Sequence, residues 1–338
     1  MNILSKRLYT AISNPNIKSI RKTSGFHPSA ASIKLPSGEV LGACMRDSYY
    51  RMTEVGGTNQ GPPDYTISAN LGDKMHQYID EILDKFGYSM GIQKIESEHS
   101  FFDEDLNLSG RSDIIAWDHI NQEIIGIEVK SVGEYKASKV LEVPDHTHIM
   151  QSMLYLDFYS KKIPDGMHRP NKWYIWYISR TEGYAIKSRK HGSPFQMLWD
   201  YYITLHNDHV VVHTSAGSYS YPELTVSGIK DRYNQLKLHL ENNIAPPRDY
   251  QIQYSEEKIA DLYKRDKLTR KADKEKVEKW LAKGAKEGKL KIELGDIECS
   301  FCSFKDHCWD QKAIEQPTYF SFPKEQEKVD ESYKKDIL

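Results

Sequence analysis

Three consecutive stretches constrain this chain most: Ile92 to Phe102, Leu108 to Trp117, and Glu123 to Ser131. Ile124, Ile125, Ile127 and Val129 give the third a β-branched character, and all three read as strands. Only His119-Ile120-Asn121-Gln122 separates the last two, which predicts a hairpin. If that hairpin is symmetric about the Ile120–Asn121 bond, Asp113 stands opposite Glu128 and Arg111 opposite Lys130. Side chains alternate along a strand, so Glu128 and Lys130 then share the face of Asp113. A two- or four-residue loop gives this register, and a three-residue loop breaks it. Directly opposed residues have Cβ atoms about 4.5–5.5 Å apart. Two carboxylates that close repel unless a positive charge lies between them, and hard divalent cations take oxygen ligands. The competing expectation is an edge hairpin with solvated charges.

Helical spacing flanks the hairpin. Leu71, Met75, Tyr78, Ile79, Ile82, Leu83 and Phe86 recur with helical period, and Gly87 stands at a C-cap position. A second helix is predicted over about His148 to Tyr159, and a further strand over Trp173 to Ile178. The order helix, three strands, helix, strand predicts an α/β protein with a mixed β-sheet flanked by helices. His76 lies one turn after Gly72, and an imidazole can bind a divalent cation. Gln151 and Tyr155 are also one turn apart and project together. They either hold a substrate phosphate or orient Lys130. A helical His and a Tyr–Gln pair serve packing more often than chemistry.

The chain has 338 residues, 39% of them hydrophobic and 28% charged, as expected of a folded globular protein rather than a disordered one. A net charge of −2 gives no global support for nucleic-acid binding, so any basic contact surface must be local. No apolar run approaches the roughly 18 residues of a membrane span. The start, Met1 to Arg7, lacks the apolar core of a secretory signal, so a cytoplasmic location is expected, in the host if the source is viral. Residues 1–43 read as an N-terminal extension, Gly56 to Asp64 as a loop, and 317–338 as a polar tail. Ser255 to Lys291 reads as helical, with nine lysines and arginines from Lys264 to Lys283. It is either a solvated face or a contact for a phosphate backbone. No Gly-x-x-x-x-Gly-Lys-Ser/Thr motif is present, so any unwinding motor is a separate chain.

The four cysteines are Cys44 and a distant triplet, Cys299-x-x-Cys302-x5-Cys308. In a reducing cytosol they are better read as metal ligands than as disulfides. Four thiolates can hold zinc or an iron–sulfur cluster. The one-plus-three split differs from the paired Cys-x-x-Cys knuckles of zinc ribbons.

In order along the chain, Cys44-x-Arg46-x-x-Tyr49, Gly72-x-x-x-His76, Gly110-x-x-Asp113, Glu128-x-Lys130, Gln151-x-x-x-Tyr155 and the cysteine triplet resemble the PD-(D/E)XK nuclease superfamily. The likeness is to its RecB-like iron–sulfur branch, which includes CRISPR-associated iron–sulfur exonucleases and phage relatives. The resemblance implies a restriction-endonuclease-like core over 44–249. It also implies a cysteine-ligated C-terminal lobe over 250–316, carrying the basic helical insertion. His76, Asp113, Glu128 and the backbone carbonyl of Val129 would bind Mg2+ or Mn2+. Lys130 would be the catalytic lysine, and Gln151 and Tyr155 the accessory motif near DNA. Cys44, Cys299, Cys302 and Cys308 would hold a 4Fe–4S cluster, with Zn2+ as the alternative. Ser112 replaces the motif's proline, as is common in this branch. The charged stretch Tyr250 to Glu298 departs from the CRISPR-associated members and favours a phage-type or stand-alone enzyme. The implied activity is exonucleolytic cleavage of single-stranded or end-exposed DNA, perhaps beside a helicase or recombination partner. A structure-specific endonuclease and a catalytically silent DNA-binding subunit are the alternatives.

Overall fold

A computed structural model describes residues 25–53, 55, 57, 63–162, 169–180, 197–268, 270–285, 290 and 292–309. A small hairpin comes first, with strands β1 (Ser32–Lys34) and β2 (Val40–Gly42). The main sheet has seven strands: β3 (Ile92–Asp103), β4 (Leu108–Asp118), β5 (Glu123–Val132), β6 (Lys172–Ser179), β7 (Leu198–His206), β8 (His209–Thr214) and β9 (Gly217–Thr225). Spatial order follows chain order. Every neighbouring pair is antiparallel except β5 with β6, which is parallel. A parallel pair needs a long crossover. Here it contains two helices, separate from α1 (Met45–Met52) and α2 (Pro63–Phe86) earlier in the chain. They are α3 (Glu134–Val140) and α4 (His146–Lys162). The chain then adds α5 (Val226–Glu241), α6 (Glu256–Lys264), α7 (Lys271–Ala282), α8 (Ile297–Ser300) and α9 (Lys305–Trp309). The protein is therefore mixed α/β, with a mixed sheet flanked by helices.

Strand alternation divides the side chains between two layers. Ile125, Ile127 and Val129 of β5 pack with Ile114 and Ala116 of β4 against Ile79 and Leu83 of α2. On the other face, Trp173, Ile175 and Tyr177 of β6 belong to a larger core with residues of α4 and α5 such as Met153 and Tyr233. Phe26, Ala31 and Ile33 join this core, so residues 25–43 pack against the domain. Residues 1–24 of the expected extension, and the tail at 317–338, lie outside the described residues.

Other expectations need correction. Helix α2 begins at Pro63, inside the stretch read as a loop, because proline's fixed φ suits a helix start. Leu71, Tyr78 and Phe86 of its apolar stripe are exposed. The basic segment is two helices rather than one, α6 and α7, and it carries its own small core of Ile259, Leu268, Val277, Ile292 and Leu294. Part of its positive charge is neutralised locally, by Arg265–Asp261, Lys274–Asp266 and Arg270–Asp273 pairs. No helix among the described residues is long and apolar enough to cross a membrane.

Candidate active site

The β4–β5 loop has four residues, His119 to Gln122, and the ladder runs from Asp118↔Glu123 to Ile114↔Ile127. The Asp118 carboxylate fixes the turn by accepting the Ile120 N–H at 2.8 Å and the Asn121 N–H at 3.1 Å. Asp113 and Glu128 are the next residues in that register, just past the last pair. There Asp113 Oδ2 accepts the Val129 N–H at 2.7 Å, so a side chain closes the end of the ladder.

Glu128 and Lys130 face α4. Lys130 Nζ donates to Glu128 Oε1 at 2.6 Å and to Gln151 Oε1 at 3.0 Å. Gln151 Nε2 donates to Glu128 Oε1 at 2.8 Å and to the Tyr155 hydroxyl at 3.0 Å. Tyr155 OH in turn donates to the Arg111 carbonyl at 3.0 Å. Gln151 and Tyr155 are 7% and 2% exposed, so the pair fastens Lys130 and Glu128 from behind rather than meeting a substrate. Of the two roles the sequence leaves open, this geometry favours orientation of the lysine.

Glu128 is 2% exposed, and its second oxygen, Oε2, has no hydrogen-bond partner. Burial, followed by the charge of Asp113, pushes its carboxyl up to about 7. Burial pulls the Lys130 ammonium down, but Glu128 and Asp113 outweigh it and hold the lysine charged. His76 behaves likewise: burial lowers it, while the hydrogen bond and charge of Asp113 raise it further. Its Nδ1 lies 3.5 Å from Asp113 Oδ2.

Sequence reasoning missed Glu98. In the β3–β4 ladder Ser97 pairs with Ile114 and His99 with Ser112, which sets Glu98 opposite Asp113. One ligand atom from each of His76, Glu98 and Asp113 lies within 4.8 Å of the other two. Among the described residues no other His, Cys, Asp or Glu group of three is this tight, and Glu128 falls outside it. Glu98 also forms an ion pair with Arg111 across the ladder. The register of the first hairpin was the signal that could have found it.

The cysteines converge from both ends of the chain. Cys44 occupies the N-cap position of α1, Cys299 lies in α8 and Cys308 in α9. Cys44 and Cys299 share an apolar cluster with Val40, Tyr250 and Ile252, while Cys302 and Cys308 pack at the edge of the main core. No disulfide forms among them. Burial pushes the Cys44 thiol up to about 11 and Cys299 to about 12, and raises Cys302 as well. Arg46 Nη1 stands 3.7 Å from Cys308 Sγ. No three of the sulfurs lie within 4.8 Å of one another. Four thiolates about 2.3 Å from a single tetrahedral zinc would stand closer than that, at roughly 3.8 Å apart.

Comparison with known proteins finds no matching family model and no matching curated relative.

Proposed function

We propose that this protein is a metal-dependent DNA nuclease of PD-(D/E)XK type, acting as an exonuclease on single-stranded or end-exposed DNA. One observation carries the proposal. Two carboxylates, Asp113 and Glu128, stand together at the end of a hairpin ladder, with Lys130 held beside them by Glu128 and Gln151. A purely structural ion pair needs no second carboxylate and leaves no buried acceptor such as Glu128 Oε2 without a partner.

Asp113, Glu128, His76 and the Val129 carbonyl would hold Mg2+ or Mn2+. Such a cation lowers the pKa of water and offsets charge developing on the phosphate. Lys130, kept positive by its neighbours, orients the attacking water and stabilises the extra negative charge of the transition state. Gln151 limits the rotation of Lys130, and Tyr155 holds Gln151. The preference for DNA ends comes from the family resemblance. The cysteines are assigned to a 4Fe–4S cluster, because their sulfurs are spread too widely for one zinc ion.

The test is a Mg2+-supported digestion of linear and closed-circular single-stranded DNA. The linear strand is expected to be degraded and the circle spared; cleavage of the circle would make the enzyme an endonuclease. Asp113→Asn and Lys130→Ala are each expected to lower the rate by at least about 1,000-fold with DNA binding retained. Undiminished cleavage in either variant would overturn the assignment.

A further inference from the structure

Three carboxylates stand in one row across three neighbouring strands: Glu98 on β3, Asp113 on β4 and Glu128 on β5. The row follows from the two ladders, in which Glu98 and Glu128 flank Asp113 on either side. His76 and Glu98 close around Asp113 within 4.8 Å, and Glu128 does not belong to that group. Asp113 therefore borders two separate openings. One lies toward Glu98 and His76. The other lies toward Glu128, where Oε2 is buried and has no partner. That unpartnered oxygen, on a side chain only 2% exposed, is the mark of a missing ligand on the second side.

Resting on the cation-binding proposal above, we propose that the site takes two divalent cations that share Asp113. His76, Glu98 and Asp113 hold one, and Asp113 with Glu128 holds the other. Hard cations with one imidazole among oxygen ligands suit Mn2+ or Mg2+. Neighbouring strands are about 4.7–4.9 Å apart, so ions held in adjacent gaps fall close to the roughly 3.5–4 Å of two-metal hydrolytic sites. Arg111 covers Glu98 in the metal-free protein and acts as its stand-in cation. Glu98 is about half exposed, so exchanging Arg111 for a metal leaves no buried charge.

Mn2+ binding to the full chain, counted by calorimetry and by electron paramagnetic resonance, tests this. Wild type is expected to bind two Mn2+ with a spin-coupled spectrum. Glu98→Gln is expected to bind one, with the coupling gone and the thermal melt unchanged. Arg111→Ala removes the competing guanidinium and is expected to tighten the first site severalfold, an effect a purely structural Glu98–Arg111 pair would not give. One Mn2+ in both wild type and Glu98→Gln, at equal affinity, overturns the second site and leaves the one-cation nuclease standing. No Mn2+ bound to wild type overturns both.

Discussion

Glu128 bears its charge in an unfavourable place, and pH is the way to read that. Its carboxyl is pushed from 4.5 up to about 7 by burial and by Asp113. A raised carboxyl favours the metal-free fold fully below the unfolded value, and that contribution is lost as pH rises through about 7. A cation ligand must be ionised, so metal binding has the opposite slope. Mn2+ affinity is expected to be flat above about pH 7 and to fall toward tenfold per pH unit below it, as one proton is displaced. Calorimetry across this range measures it, and a flat affinity down to pH 5.5 would remove Glu128 from the ligand set. Asp113, Glu128 and Lys130 were legible in the sequence because a four-residue loop fixes a register by local geometry alone. Glu98 was not. A turn placed only at Asp103–Asp105 leaves the axis of the first hairpin open, and the ladder proves to close at Asp103↔Leu108. Gln151 and Tyr155 were legible as a pair, but their role depended on burial, which spacing does not reveal.

Among the elements, the β5–β6 contact governs how well the site is backed. Trp173 of β6 lies on Gly126 of β5, and a Cβ there would meet the ring at 2.2 Å. The same ring packs against Tyr155 at 5.1 Å and Tyr159 at 5.5 Å, so it has no free direction in which to yield. Gly126→Ala is expected to destabilise the protein by about 1–3 kcal/mol, the usual range for overpacking. Because Tyr155 moves with the ring, cleavage should suffer beyond the loss of stability. Gly72→Ala is the control: its Cβ would sit at an ordinary 3.4 Å from Ser131 Oγ, and alanine favours a helix by about 1 kcal/mol over glycine. Paired thermal melts and rates separate the two, and equal behaviour would refute the packing argument. The elements around the hairpin were legible from strong periodicity. The last strands were not, since β9 contains Pro222 and Gly217 and reads as loop. Proline is tolerated there because β9 is the sheet edge.

At the scale of the whole molecule, the cysteines join the two ends of the chain, but they are not alone in doing so. Asp249 accepts the Met45 N–H at 2.7 Å and pairs with buried Arg232 at 2.6 Å, and Arg46 Nε donates to the Pro246 carbonyl at 2.6 Å. These bonds hold the start of α1 against residues 246–249 without any metal. The metal-binding carboxylates hang on β3, β4 and β5 and on none of the cysteine segments. Loss of the cluster is therefore expected to lower stability while sparing the cation site. A cross-link between Cys44 and the C-terminal triplet closes a long loop, the case in which closure restrains the unfolded chain most. Cys44→Ser, purified without oxygen, is expected to lose the iron absorbance and to melt several degrees lower. Its Mn2+ affinity should stay within about twofold of wild type, because distant sites contribute nearly independently. Stoichiometric zinc without iron in the wild type would rule out the cluster. Collapse of Mn2+ binding together with the iron would mean that the cysteine lobe, and not the hairpin register alone, shapes the row of carboxylates.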